Sequence, residues 1–308
     1  MDVQKFTHLD AGESAFFARE LESVKAQVYN VLYPEYTATR LIPVDSSAGA
    51  GAETITYRSF DRVGMAKIIS NYADDLPRSD VFGKEFTINV KTIGGSFGYN
   101  IMEVRNASKA GRPLQQMKAT ATRQSNEQKV NNLAWFGDPD SGLLGMLSQG
   151  HGIPTATAGT AWASATVDEI IDDLNSLIND PIDNTNGVEK PDTILLPFAQ
   201  FTLISTTQKS TASDTTILEF FLKNQPGVTV EPIPELKAVA PLPSGGAGPS
   251  DVAFAYTKRA DKLTLEIPSA FEMLPVQERN LEFVVNTMSR IAGVQFYYPL
   301  SANILEGI

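Results

Sequence analysis

The chain has no cysteine and only two histidines, His8 and His151, in 308 residues. Without thiols there are no disulfides, no Cys-ligated zinc, no iron–sulfur centre and no thiol catalysis. Two imidazoles exclude a multi-histidine metal site within one chain and confine a His-dependent triad to two positions. No run reaches the ~18 apolar residues of a membrane span. The opening MDVQKFTHLDAGES has no apolar signal-peptide core, so the expectation is assembly in a cytoplasm, away from any membrane. Basic residues are also few, 25 against 36 acidic, for a net charge of −11 and a pI of about 4.7. That argues against a generally basic nucleic-acid surface and leaves room for a local basic patch. No repeat of solenoid or propeller period is present.

What is present, 42% hydrophobic and 20% charged residues, is a globular composition, and a chain of this length buries a sizeable core unaided. After a polar start, Phe17, Leu21, Val24, Val28 and Val31 recur at steps of four and three. They predict a helix over about Glu13–Leu32 with one narrow apolar stripe, stopped by Pro34. LIPVD (Leu41–Asp45) reads as extended, and SSAGAGA (Ser46–Ala52) as a hinge. Two alternating segments, ETITYRSF and KEFTINV, predict strands. Between them Ser70–Lys84 is polar, with Asp74, Asp75, Arg78 and Asp80. It reads as the tip of a long excursion with too little apolar content to fold onto its own core, and such an excursion reaches for another chain. LQQMKATATRQSNEQKVNNLAWF predicts a helix over about 113–136, roughly 35 Å long, with a thin stripe suited to lying across a surface and Gly137 at its end.

Thr166-Val167-Asp168-Glu169 is a capping box, and the helix behind it should end before Pro181. DTILLP predicts a buried strand, FAQFTLIST and TTILEFFLKN two short helices, and VTVEPIPEL, VAFAYTK, KLTLEIP and EFVVNTMSRIAGVQFYYP strands. The fold class is α+β. Candidate chemistry is thin. Asp172 and Asp173 sit ~100° apart on a helix and cannot face one site. Asp138-Pro-Asp140 is turn chemistry. DNTNG (Asp183–Gly187) has Ile182 and Thr193 where a calcium loop needs ligands. GGAG (Gly245–Gly248) runs into Pro249, not a Lys-led helix. His151 has no nucleophile motif beside it. The catalytic, cofactor and metal expectation is therefore none, and the chain reads as a building block rather than an enzyme.

The order of parts resembles the major capsid protein of tailed phages, the Hong Kong ninety-seven-type fold. The pieces are LIPVD, the loop AKIISNYADDLPRSDVFGKEFTINV, GYNIMEVRNA before the long helix, SGLLGM after it, PDTILLPFAQFTLI with a second helix and VTVEPIPEL, and FYYPLSANILEGI at the end. The resemblance implies an N-terminal arm and helix (1–50), an extended loop (51–90), a P-domain with a spine helix (91–149), an A-domain (150–285) and C-terminal strands returning to the P-domain (286–308). It implies a virion shell protein that encloses DNA without sequence-specific binding and assembles with itself as pentamers and hexamers. Scaffolding, portal and decoration proteins are further possible partners. The candidate subunit interface is Phe17, Leu21, Val24, Val28 and Val31 on the helix, with Arg62, Asp74, Asp75, Arg78 and Asp80 on the loop. Two features depart from the family: the chain has no long N-terminal scaffolding segment, and no partner for a Lys–Asn cross-link can be matched to Lys67 or Lys84. The same fold also builds encapsulin cargo compartments. An acidic enzyme with an unrecognised site, or an adhesin module, is the alternative from another class.

Overall fold

The computed structural model describes residues 35–64, 66, 78–109, 114–210, 213–246 and 248–308. The chain divides into two units, Met1–Glu35 and Tyr36–Ile308, and every element below belongs to the second. The expected N-terminal helix, with Phe17, Leu21, Val24, Val28 and Val31, lies outside the described residues, as do Asp74 and Asp75.

Along the chain, one helical turn, α1 (Ala38–Leu41), precedes β1 (Val44–Asp45), β2 (Thr54–Val63), β3 (Asp80–Asn89) and β4 (Lys91–Asn100). Next come α2 (Ile101–Lys109), α3 (Leu114–Phe136), β5 (Thr155–Thr157), α4 (Val167–Asn184), β6 (Thr193–Leu196) and α5 (Phe198–Thr206). β7 (Gln208–Ser210), β8 (Ser213–Thr216), α6 (Ile217–Asn224), β9 (Thr229–Pro232), β10 (Val252–Tyr256) and β11 (Leu263–Glu266) follow. The chain closes with β12 (Ser269–Met273), β13 (Gln277–Arg279), β14 (Glu282–Ile291), β15 (Gly293–Phe296) and β16 (Ala302–Glu306).

The centre is a mixed sheet in the order β5-β16-β10-β6-β9, with β10 antiparallel to both of its neighbours. Its middle strands are apolar at successive positions because both faces are covered. On β10, Val252, Phe254 and Tyr256 enter one core with the end of α3, β11 and β15. Ala253 and Ala255 enter the other, against α4, α5 and α6. Large residues fill the first side, and alanines let helices approach the second. β16 lies between β10 and β5 in this sheet, antiparallel to the first and parallel to the second.

β14 pairs with β4 over ten residues, from Glu282↔Asn100 to Ile291↔Lys91. The first half of α3 lies over this pair, and Asn126 donates to Ser289 Oγ at 2.9 Å. The last turns depart from the surface-helix expectation: Val130, Leu133, Ala134 and Trp135 are buried in the first core. Gly137 ends the helix with a positive φ of 70°, and Met146 N and Leu147 N, in the turn that follows, donate back to the Ala134 and Trp135 carbonyls of the last turn. A Cβ on Gly145 would stand 2.2 Å from Gly137 N, so only glycine allows that approach.

Two local readings change, and a third segment gains an element. Leu41 closes a helical turn, so the extended part of LIPVD shrinks to β1. GYNIMEVRNA, to which the sequence assigns no element, turns helical at Ile101, because Asn100 Oδ1 accepts from Met102 N at 3.0 Å and Glu103 reaches back to Asn100 N at 3.3 Å. α4 runs on through Pro181 to Asn184. The ring is buried on the helix's apolar face, and the Thr185 hydroxyl donates to the Pro181 carbonyl at 2.6 Å.

Candidate assembly surfaces

β2 and β3 form an antiparallel ribbon of ten paired residues, from Thr54↔Asn89 to Val63↔Asp80. Neither strand pairs with a third strand among the described residues. Opposed residues share a face. Near the body, Tyr57 stacks on Phe86 with centroids 5.0 Å apart and meets the edge of Tyr297 at 5.0 Å. Lys84 Nζ lies 4.7 Å from the Phe86 ring centre. On the other face Arg58 Nε donates to Glu85 at 2.7 Å, and the Thr56 and Thr87 hydroxyls are 2.9 Å apart.

The outer half is different. Phe60 is 65% exposed, Phe82 60%, Val81 57% and Val63 53%. Phe60 covers Gly83, where a Cβ would come within 3.0 Å of its ring. Arg62 stands opposite Val81, and Asp80 opposite Val63. Asp80 Oδ1 accepts the N–H of Val81 at 2.8 Å, closing the strand start. Arg62, Arg78 and Asp80 are all exposed. The structure thus gathers these three charges at the ribbon's outer end, and it corrects the polar reading of that end. Residues 80–84, assigned to the tip, belong to β3 and bring two large apolar side chains with them. The signal was the four apolar residues Phe60, Val63, Val81 and Phe82 flanking the polar run, two on each face of the ribbon. Exposed apolar residues grouped on a two-stranded ribbon mark a protein-contact surface.

The ribbon's root rests on a buried polar cluster. Glu266, 2% exposed, accepts from Thr264 Oγ1 at 2.7 Å and from Tyr297 Oη at 3.2 Å. Burial raises its carboxyl above the usual range, eased by the Thr264 hydrogen bond and reinforced by Asp45. Burial likewise raises Tyr57 and Tyr297. Tyr297 directly follows β15, which is antiparallel to β11, so one cluster ties these two strands to the ribbon.

The sequence's other candidates serve the fold. Asp173 accepts the Trp162 indole N–H at 2.8 Å, and burial raises its carboxyl. Asp138 Oδ2 accepts from Ser141 Oγ at 2.5 Å within its turn. His151 Nε2 donates to the Gly145 carbonyl at 2.8 Å, and its ring meets the Phe296 ring at 5.0 Å. Burial holds it down to about 4 despite that bond. The GGAG loop is tied by Ser244, whose N–H and hydroxyl both donate to Glu306 at 2.8 and 2.5 Å. Among the described residues no group of three His, Asp or Glu could hold a metal ion, and no helix is long and apolar enough to cross a membrane.

A long exposed ribbon on a double-sided core, with an apolar outer end, presents a surface suited to contact with another protein chain. The model of the major capsid protein family matches residues 64–308, and the chain belongs to that family. Its fold is that of tailed-phage capsid proteins. A chain of the capsid of Myoviridae phage XM1 superposes with a TM-score of 0.83 at 20% identity, covering 96% of this chain and 99% of that one. A chain of the capsid of a native GTA particle gives 0.64 at 10% identity, with 92% and 94% covered. A chain from Mycobacterium phage Bobi gives 0.62 at 14% identity, with the same coverage. The comparison with curated proteins gives no match. The protein is therefore a structural shell protein, self-associating in a virion capsid.

Proposed function

We propose that the β2–β3 ribbon is the extended loop of the capsid fold and clasps a neighbouring subunit. Phe60, Val63, Val81 and Phe82 seat against apolar surface there, and Arg62, Arg78 and Asp80 meet opposite charges. The observation that carries this reading is the exposure of four large apolar side chains at the end of a ribbon that pairs with no third strand among the described residues. Burying each would contribute roughly 1.5–3 kcal/mol, where an exposed ion pair contributes about 0–1. The apolar set therefore supplies most of the contact energy, and closed symmetry repeats it at every subunit.

In this reading residues 1–50 form the arm, with Phe17, Leu21, Val24, Val28 and Val31 as its docking stripe. Asp74 and Asp75 belong to the loop's tip. Residues 91–149 are the P-domain with α3 as spine, 150–285 the A-domain and 286–308 the returning strands. Subunits group as pentamers and hexamers in the host cytoplasm, around DNA held without sequence preference. Scaffolding, portal and decoration proteins are its candidate partners, and the shell has no catalytic activity. Changing Phe60, Val63, Val81 and Phe82 together to serine tests the clasp. The expected product is a soluble subunit with a cooperative melt near that of the parent and no closed particles by electron microscopy. Closed particles in normal yield would remove the ribbon's outer end from the interface.

A further inference from the structure

Within this acidic chain the charge is unevenly placed. Between Lys91 and Phe136 lie seven basic and only two acidic residues, a local charge of +5 against −11 overall. That stretch builds β4, α2 and α3. α3 runs antiparallel to β4, as three contacts show. Lys118 Nζ donates to Gly98 O at 2.8 Å. Thr122 Cγ2 lies 3.6 Å from where a Gly95 Cβ would sit. Asn126 bonds Ser289, which stands opposite Ile93. The next turn brings Lys129 to the Lys91 end. Lys91 shares a face with Ile93 and Gly95, the face that α3 covers.

Between helix and strand is an open groove of about 470 Å³, lined by Ile93, Gly95, Ser96, Ser125, Lys129 and Thr287 among others. Gly95 keeps it open: a Cβ there would stand 3.1 Å from Thr287 Oγ1 and 3.6 Å from Thr122 Cγ2. Its hydroxyls are donors, and Thr287 Oγ1, on a residue 3% exposed, has no hydrogen-bond partner. Lys118 is engaged by Glu103 at 2.9 Å, and Arg123 by Glu127 at 2.8 Å. Lys91 and Lys129 are exposed and carry no salt bridge among the described residues.

We propose that this α3–β4 groove, with Lys91 and Lys129 at one end, is a contact site for the phosphate backbone of double-stranded DNA. The choice of DNA rests on the shell reading, since DNA is the polyphosphate that a virion encloses. Two unpaired ammonium groups beside a row of hydroxyls match phosphodiester oxygens and read no bases, so contact is sequence-independent. At physiological salt the Debye length is about 8 Å, and the local sign rather than the distant acidic surface governs approach.

The test is binding of the full chain to a fluorescent 30-base-pair duplex, followed by anisotropy from 20 to 200 mM salt. K91A/K129A is compared with K190A/K237A, which removes the same charge from exposed sites elsewhere. The groove variant should weaken binding about ten-fold at low salt and lower the log–log salt slope by roughly 2, about 0.9 per lost phosphate contact. The control pair should change little. Equal losses in both variants, or no duplex binding by the parent, would overturn the proposal. So would polyglutamate competing at lower concentration than unlabelled duplex, which would assign the groove to an acidic polypeptide. Electron microscopy of the same preparations scores shell formation separately. Absence of particles from the parent would count against the shell reading, and loss of duplex binding alone against the groove.

Discussion

His151 sits where the chain leaves α3 and turns under β15, and its neutrality is part of the packing. An unfolded imidazole takes a proton near 6.5, while the folded one resists until about 4. Between those values the unfolded state binds more protons. The contribution is therefore complete above about pH 6.5 and is lost as pH falls toward 4. Two and a half pH units at 1.36 kcal/mol each set an upper bound of about 3 kcal/mol, less for partial solvent access. H151Q keeps a donor for the Gly145 carbonyl and cannot titrate. In thermal melts between pH 7 and 4 it should lose much less stability than the parent. Parallel declines would show that another group governs acid sensitivity. Glu266 acts in the opposite direction: its raised carboxyl favours the fold at low pH, a contribution lost as pH rises through its folded value. The comparison of variants isolates His151 from it. Tyr57 is the second informative residue, since it joins the ribbon's stack to Tyr297 on the body. Aromatic pairs contribute about 0.5–1.5 kcal/mol each beyond their burial. Y57A should leave the global melt nearly unchanged and speed hydrogen exchange of the 54–63 amides several-fold. Unchanged exchange would mean that the backbone ladder alone holds the ribbon.

At the scale of elements, local chemistry decides where helices begin and distant partners decide how deeply they sink. Thr166 and Glu169 cap α4 as the S/T-x-x-E spacing predicts, with the Glu169 carboxylate accepting from Thr166 N at 2.6 Å. The same spacing at Thr216 and Glu219 caps α6, and Asn100 with Glu103 opens α2. T166A should cost about 1 kcal/mol, lowering the melting temperature by roughly 2–4 °C. A change under 0.5 °C would place α4's stability in its buried face alone. That face, with Ile170, Leu174, Leu177 and Ile178, was legible from its spacing. The depth of α3 was not. Its stripe is thin, but Trp135 donates to Thr37 Oγ1 at 3.0 Å, and Asn131 donates to Glu235 at 2.8 Å. Those partners lie 98 residues before Trp135 and 104 after Asn131, so no window along α3 contains them. The stop expected at Pro181 failed for a related reason: the Pro181 ring is itself part of the helix's buried face, and that burial outweighs one missing backbone donor.

For the whole molecule the division is between a body that closes on itself and a ribbon that does not. Both faces of the central sheet are covered by the chain's own residues. The outer ribbon buries little against them. Replacing Arg62–Val81 by a short Gly-Ser turn should therefore spare the body. The variant should stay soluble and melt cooperatively, yet fail to close shells when imaged beside the parent. Outright unfolding would place the segment in the core. The asymmetry of charge belongs to this scale too. An acidic chain limits self-attraction and nonspecific contact, while one basic stretch on β4, α2 and α3 stands apart from it.

By itself the sequence determined what is local or periodic: the α4 cap and face, the long helix, the alternation of β2 and β3, the absence of thiol chemistry and the order of parts that resembles a capsid protein. These follow from backbone geometry and side-chain spacing over a few residues. The tertiary structure alone decided that β16 closes the central sheet between β5 and β10, that β4 and β14 pair over ten residues, and that α3 ends inside a core. It also decided that Tyr256 Oη donates to Leu41 O at 2.8 Å, and that four apolar side chains at the ribbon's end remain uncovered. Each depends on which distant segment arrives opposite, and the free energy of such contacts is set by burial and register across the chain.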